Sequence, residues 1–140
     1  MRVVLDTNVL VQALIAAHGP ANAILGLALA RSLELLVDER IREEYENVLT
    51  RVRLRFHRSD VQHLLKRIDA VAVRISSGPL PGGVKAYPDA DDVIFLEAAV
   101  SGRAQALVTA NLRHFPESLR HGITVLPPIE VVKRFVRVGE

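Results

Sequence analysis

Three acidic residues, far apart in the chain, have the types and positions needed to bind a metal ion together. They are Asp6, Glu44 and Asp92. Carboxylates are hard oxygen ligands, and a set with almost no nitrogen or sulfur donors is typical of Mg²⁺ or Mn²⁺ sites. A divalent ion held in this way can activate water and neutralise charge on a phosphate, so the set predicts phosphodiester hydrolysis.

Asp6 stands out because of what precedes it. The apolar run from Arg2 to Leu5 contains β-branched residues and predicts a buried strand. It stops at Asp6, Thr7 and Asn8, whose types suit turns and helix caps, so a helix is expected next. Ligands of open parallel sheets bind at the carboxyl ends of strands, where Asp6 would lie, although a capping role would explain it equally well.

The helix predicted over Glu39 to Val52 offers three glutamates, and helical geometry distinguishes them. Its apolar stripe consists of Ile41, Tyr45, Val48, Leu49 and Val52. At about 100° per residue, Glu43 lies opposite this stripe and Glu46 well away from it, whereas Glu44 lies at its edge. Glu44 is therefore the glutamate that can point into a cleft, with a solvated helix face as the alternative.

Asp92 lies in a helix predicted from Pro88 to Ser101, on a face that is otherwise apolar. The apolar residues of that face are Phe95, Leu96, Ala99 and Val100. A carboxylate on such a face must find a partner or change its protonation, and this cost often marks function. Asp89 and Asp91 lie in the first turn, where capping and the helix dipole explain them as well as function does.

The remaining elements predict the fold class. Further strands are expected at Leu33 to Val37, Val71 to Ile75, Ala106 to Thr109 and Ile123 to Leu126, and further helices at Val9 to Ala17, Ala21 to Ala30, from a capping box at Ser59, and at Ile129 to Val136. Apolar strands separated by helices indicate an α/β fold, with a mostly parallel sheet covered by helices on both faces. One domain over residues 1–140 is expected.

Asn111 would follow a strand at the same rim as Asp6, as a neutral oxygen ligand or a turn residue.

Composition narrows the functional classes. The chain is 49% hydrophobic and 24% charged, as expected for one globular domain. It has no Cys, which excludes thiol nucleophiles and Cys-based zinc sites and favours the cytoplasm. No apolar run reaches the ~20 residues that cross a bilayer, so no membrane segment is predicted.

The basic residues are nearly all Arg, which suggests a polyanionic partner although the formal net charge is only +2. Four of them cluster in one stretch: Arg51, Arg53, Arg55 and Arg58. Nucleic acid would be attracted to such a surface. The alternative is that an Arg-rich surface reflects a GC-rich genome or a thermophilic source.

Four ordered fragments, spanning nearly the whole chain, resemble a known family. They are VVLDTNVL at residues 3–10, EEYENVL at 43–49, DADDVIFL at 89–96, and LVTAN at 107–111 followed by HFP at 114–116. Together they resemble the PIN domains, small nucleases that include the toxins of bacterial and archaeal toxin-antitoxin pairs. The likeness is to the toxin-like branch.

The resemblance implies a PIN-like fold, Mg²⁺- or Mn²⁺-dependent endoribonuclease activity and a homodimer or higher homo-oligomer. It maps the catalytic acids of the family onto Asp6, Glu44 and Asp92, with Asp89 close by. Supporting positions are Thr7, Asn8, Asp91 and Thr109. The expected partners are RNA, held by the four clustered arginines, and a small antitoxin protein.

One departure from the family pattern affects the metal site. Many PIN domains carry a further Asp where this chain has Asn111. We therefore expect one well-held ion, with Asn111 as a neutral contact to metal-bound water. The same departure is compatible with a non-catalytic module that binds RNA or a protein without cutting.

Two other interpretations are weaker. A phosphotransferase of the haloacid dehalogenase type would need an Asp in place of Asn8 and a Lys just beyond a strand, and none of the three lysines is placed there. General acid-base work by histidine is also disfavoured. The five histidines are scattered along the chain, which predicts surface or packing roles: His18, His57, His63, His114 and His121.

Overall fold

Five short parallel strands form the centre of the fold. The computed structural model describes the backbone of residues 1–139 and the side chains of residues 1–135. The strands are β1 (Arg2–Leu5), β2 (Glu34–Val37), β3 (Val73–Arg74), β4 (Ala106–Val108) and β5 (Val125–Leu126). Their order is β3-β2-β1-β4-β5, and every pair is parallel. The central strands are buried on both faces, which explains their continuous apolar sequences.

Helices connect and cover the strands. They are α1 (Thr7–Ile15), α2 (Pro20–Leu29), α3 (Glu39–Leu49), α4 (Arg58–Val71), α5 (Val93–Ser101) and α6 (Pro128–Gly139). The chain runs from β1 outward to β3 and then returns past β1 to β4. Crossovers between parallel strands are right-handed as a rule, and this rule would put the two paths on opposite faces of the sheet. α5 packs on β1, β2 and β4, while α2 packs against α1, α4 and α6. The α/β fold class predicted from the sequence is confirmed.

Three local predictions differ from the structure. The strand expected over Val71 to Ile75 is reduced to β3, because the apolar stripe of α4 extends that helix to Val71. The capping box at Ser59 is wrong, since α4 begins at Arg58 and its N-cap residue is His57, which makes no side-chain capping bond. Asp92 ends a short 3₁₀ turn, Ala90–Asp92, that precedes α5 rather than lying within that helix.

The sheet has a topological switch point between β1 and β4. After β1 the chain continues to β2 on one side of this strand, and it later returns to β4 on the other side. The two connections therefore diverge and leave a crevice at the carboxyl ends of β1 and β4. The backbone N–H of Asp6 donates to the carbonyl of Val108 at 2.9 Å, which extends the pairing of β1 and β4 up to this crevice.

The helices of the fold are short. Within residues 1–139, no single helix is both long and apolar enough to cross a membrane. α1 and α2 together have the necessary length and composition, but the pair is bent by 109°.

The close packing of α5 on the sheet predicts the effect of one substitution. In Gly102→Ala the new Cβ would lie 2.7 Å from Leu36 Cδ1 and 3.1 Å from the carbonyl oxygen of Ala98. Leu36 is buried and has little room to move, so we expect a loss of about 1 to 3 kcal/mol in the free energy of unfolding, measured by urea denaturation.

A matched control is Gly26→Ala. Gly26 lies inside α2, and apart from its chain neighbours and the backbone of that helix no atom lies within 4 Å of the position that an added Cβ would occupy, so alanine should stabilise the protein by about 0.5 to 1 kcal/mol. Equal effects of the two substitutions would contradict the packing of α5 described above.

Candidate metal centre

An acidic cleft of about 350 Å³ lies at the switch point of the sheet. Five carboxylates line it: Asp6, Glu44, Asp89, Asp91 and Asp92. Its other polar lining residues are Thr7, Asn8, Arg51, Arg53 and His114. The structure therefore brings into one cleft the acidic residues that the sequence analysis singled out from distant segments.

Asp6 is the most buried of these acids, with only 3% of its surface exposed. It precedes α1 at the N-cap position but makes no capping hydrogen bond. Its Oδ2 instead accepts a hydrogen bond from the hydroxyl of Thr109 at 2.8 Å. Burial, together with the nearby charge of Asp92, raises the pKa of Asp6 to about 6, although the bond from Thr109 opposes this.

Asp6 differs from the two other buried carboxylates in the described part of the chain. Asp38 and Glu97 both pair with Arg40, at 3.2 and 3.0 Å. Asp38 also caps α3 by accepting from the N–H of Ile41. Asp6 has no ion-pair partner among residues 1–135. Among residues 1–135, Asp6 is thus the one buried carboxylate whose negative charge no basic side chain neutralises. A bound cation would neutralise it.

Thr109 and Asn8 hold Asp6 in place. Besides donating to Asp6, the Thr109 hydroxyl accepts from the backbone N–H of Asn111 at 3.0 Å. The side chain of Asn8 accepts from the N–H of Ala110 at 3.1 Å, and its amide nitrogen lies 3.4 Å from Asp6 Oδ2. These bonds tie the start of α1 to the loop after β4, and they involve two of the four supporting positions proposed from the sequence, Asn8 and Thr109.

Tyr45 links Asp6 to Glu44, a role that sequence reasoning missed. The Tyr45 ring is fully buried, and its hydroxyl donates to the carbonyl of Leu5 at 2.6 Å. That carbonyl directly precedes Asp6, and Tyr45 directly follows Glu44. The apolar stripe of α3 could have indicated burial of the ring, but not the partner of its hydroxyl.

Glu44 lies half-buried in the cleft, whereas Glu43 and Glu46 are exposed and do not line it. Burial raises the pKa of Glu44; Arg51 opposes the shift, and the negative charges of Asp91, Asp92 and Asp89 add to it. The structure thus places Glu44, among the three glutamates of α3, beside the other acids.

The tightest group of candidate ligands contains a histidine. Asp89, Asp92 and His114 each offer a ligand atom within 4.8 Å of the others. Within the part of the chain that the structure describes, Asp6 and Glu44 belong to no such trio, so they lie farther from a shared point. Mg²⁺ and Mn²⁺ commonly keep water ligands, which can bridge such distances.

His114 is the functional candidate that the sequence analysis missed, because scatter along the chain had predicted surface or packing roles for all five histidines. Its Nδ1 contacts Asp92 Oδ2. Burial raises the pKa of Asp92, and the hydrogen bond with His114 opposes that shift. The sequence offered one signal for a role of His114, its position next to Phe115 in the fragment HFP. Phe115 is fully buried and packs this part of the loop into the core.

The remaining predicted positions divide between the cleft and its surroundings. Arg51 and Arg53 line the cleft, but Arg58 lines a separate groove with Phe56 and Val61, and Arg55 lies in neither. Asn111 is not among the lining residues; its amide nitrogen lies 2.9 Å from His114 Nε2.

Comparison with known families identifies the fold. A family model described as PIN domain matches residues 2–113. The chain belongs to the PIN domain family. PIN domains are in general nucleases, and they typically use a divalent metal ion. No curated protein sequence matches the chain.

The residues of this PIN domain fit a divalent ion. Crowded oxygen donors, one histidine nitrogen and a buried carboxylate without a cationic partner form a suitable donor set. The family match includes Asp6, Glu44, Asp92 and Asn111 but ends at residue 113, one position before His114.

Asp6→Asn should change how stability depends on pH. Because the folded-state pKa of about 6 lies above the ordinary 3.8, protonated Asp6 favours folding, and this contribution is lost as pH rises through 6. The difference corresponds to about 3 kcal/mol. Asn can still accept from Thr109, so in metal-free protein the variant should be more stable than wild type by about 2 to 3 kcal/mol near pH 7.5.

Urea denaturation in the presence of a chelator measures this difference. Near pH 4 the two proteins should agree within about 0.5 kcal/mol, because wild-type Asp6 is then largely protonated in the folded state. A variant that is less stable than wild type at both pH values would show that the Asp6 charge is compensated within the protein.

Proposed function

We propose that this PIN domain is a metal-dependent endoribonuclease that hydrolyses phosphodiester bonds of RNA. The observation that carries the proposal is the buried, uncompensated Asp6 carboxylate in a cleft shared with Asp92 and Glu44. The cleft also contains Arg51 and Arg53, whose guanidinium groups are suited to phosphate binding. The acidic groups would hold a divalent ion, and the arginines would bind an RNA phosphate in the same cleft.

In this proposal the residues of the cleft have three roles: they hold the ion, orient Asp6 and bind the RNA. Asp92, Asp89, Asp6 and Glu44 would hold a Mg²⁺ or Mn²⁺ ion, with Asp6 and Glu44 at the greater distance from Asp92 and Asp89. When bound, the ion supplies charge neutralisation at the phosphate and a more acidic water molecule. Thr109 and Asn8 orient Asp6 through the hydrogen bonds described above. Arg51 and Arg53 bind phosphates of the RNA strand and align it for in-line attack.

The toxin assignment rests on the resemblance of the sequence motifs to the toxin-like branch. A cytoplasmic location, a small antitoxin partner and a homodimer or higher homo-oligomer belong to the same proposal. The genetic neighbourhood tests the toxin role directly. A small adjacent upstream reading frame that encodes a basic DNA-binding half and an apolar tail would support it.

A second candidate is a non-catalytic PIN domain that binds RNA or a protein. Asn111 favours it, because this residue stands where many PIN domains have an acid and its amide lies against His114. This candidate predicts RNA or protein binding without RNA cleavage under any metal condition.

Cleavage of a labelled RNA pool distinguishes the two candidates. With Mg²⁺ or Mn²⁺ we expect wild type to cut RNA and excess chelator to stop the reaction. Asp6→Asn should slow cleavage by about two orders of magnitude or more, because the charge that holds the ion is lost. Asp60→Asn is the matched control, since Asp60 is exposed on α4 outside the cleft, and it should cut like wild type. RNA that is bound but never cut by wild type would exclude the nuclease.

A second test measures how strongly the arginines bind RNA. Fluorescence anisotropy with a single-stranded RNA gives the affinity, and the Asp6→Asn background is used because cleavage is suppressed in it. Arg53→Gln should weaken RNA binding about fivefold and reduce the slope of log affinity against log salt by about one. Arg58→Gln should stay within about twofold of its parent, because Arg58 lines the separate groove. The reverse order of effects would move the RNA path away from the acidic cleft.

A further inference from the structure

The loop after β4 places His114 at the edge of the acidic cleft. Phe115, the next residue, is fully buried, and its carbonyl accepts a hydrogen bond from Arg120 Nε at 2.8 Å. A 3₁₀ turn, Leu112–His114, precedes it. Because both sides of His114 are anchored, the fold sets the position of its backbone beside the cleft.

Asn111 and Asp92 are the polar partners of the His114 ring. The amide nitrogen of Asn111 lies 2.9 Å from Nε2 and 3.4 Å from Nδ1, and Nδ1 also faces Asp92 Oδ2. If the Asn111 amide donates to Nε2, the ring proton is on Nδ1 and is shared with Asp92. If the amide is turned so that its oxygen accepts from Nε2, the Nδ1 lone pair faces the carboxylates of Asp92 and Asp89, where a cation can replace the shared proton.

We propose that His114 is a direct nitrogen ligand of the metal ion, together with Asp92 and Asp89, and that it favours Mn²⁺ over Mg²⁺. The inference rests on the proposed function for the presence of a divalent ion in the cleft. Mg²⁺ prefers an all-oxygen shell and dehydrates reluctantly, whereas first-row transition ions accept imidazole nitrogen. Asn111 then acts as the group that orients the imidazole ring, which is the usual task of the partner of a metal-bound histidine.

Metal binding without RNA tests this proposal. Metal-free full-length protein is titrated with Mn²⁺ and with Mg²⁺ by calorimetry, and Mn²⁺-loaded protein is examined by pulsed electron paramagnetic resonance for ¹⁴N coupling. We expect wild type to bind Mn²⁺ at least about tenfold more tightly than Mg²⁺ and to show coupling to a bound imidazole. His114→Asn should lose this coupling and at least about tenfold in Mn²⁺ affinity, with Mg²⁺ affinity within about threefold.

His121→Asn is the matched control. His121 is exposed, does not line the cleft and adopts a positive φ that Asn tolerates, so Mn²⁺ affinity and ¹⁴N coupling should match wild type. Because the coupling is first measured on wild type, the test does not depend on the folding of the His114 variant. Mn²⁺ bound in wild type without ¹⁴N coupling would overturn the proposal, as would unchanged Mn²⁺ affinity in His114→Asn.

These results separate the inference from the proposed function. RNA cleavage with metal but without nitrogen coupling overturns the role of His114 and leaves the nuclease standing. Nitrogen coupling without RNA cleavage supports the role of His114 and contradicts the nuclease. A wild-type protein that binds neither ion overturns both.

Discussion

The carboxylate of Asp6 is held almost out of contact with water at the point where β1 and β4 lead the chain in opposite directions. Thr109 and Asn8 offer it hydrogen bonds, but neutral donors leave the negative charge in place. Asp92 makes that charge more costly, and none of the described basic side chains pairs with Asp6. A cation in the cleft would remove this cost, so the free energy of ion binding and the protonation of Asp6 must be coupled.

The order of the strands explains how distant residues come to share this cleft. β1 and β4 are neighbours in the sheet but far apart in sequence, and each is followed by a polar residue, Asp6 or Thr109, at the same rim. α3 adds Glu44 through the buried ring of Tyr45, and the 3₁₀ turn before α5 adds Asp92. Asp38 and Glu97 differ from Asp6, because both pair with Arg40.

Prediction from sequence succeeds here where geometry is local. The strand before Asp6 follows from an apolar run, and the placement of Glu44 follows from the angular spacing of a helix, so neither needs tertiary information. His114 is different, because its contact with Asp92 depends on the path of the loop after β4 and on the burial of Phe115. The hydrogen-bond partner of the Tyr45 hydroxyl could not be predicted from the sequence for the same reason. A hydrogen bond between a helix and a strand leaves no periodic pattern in the sequence.

The most direct test of the shared ion is anomalous X-ray diffraction from crystals of the wild-type protein grown or soaked with Mn²⁺. We expect an anomalous peak inside the acidic cleft, within bonding distance of a carboxylate oxygen of Asp92 and in contact with Asp6 directly or through one water molecule. Mn²⁺ found only outside the cleft, or a fully occupied crystal in which Asp6 and Asp92 contact no common ion, would contradict it.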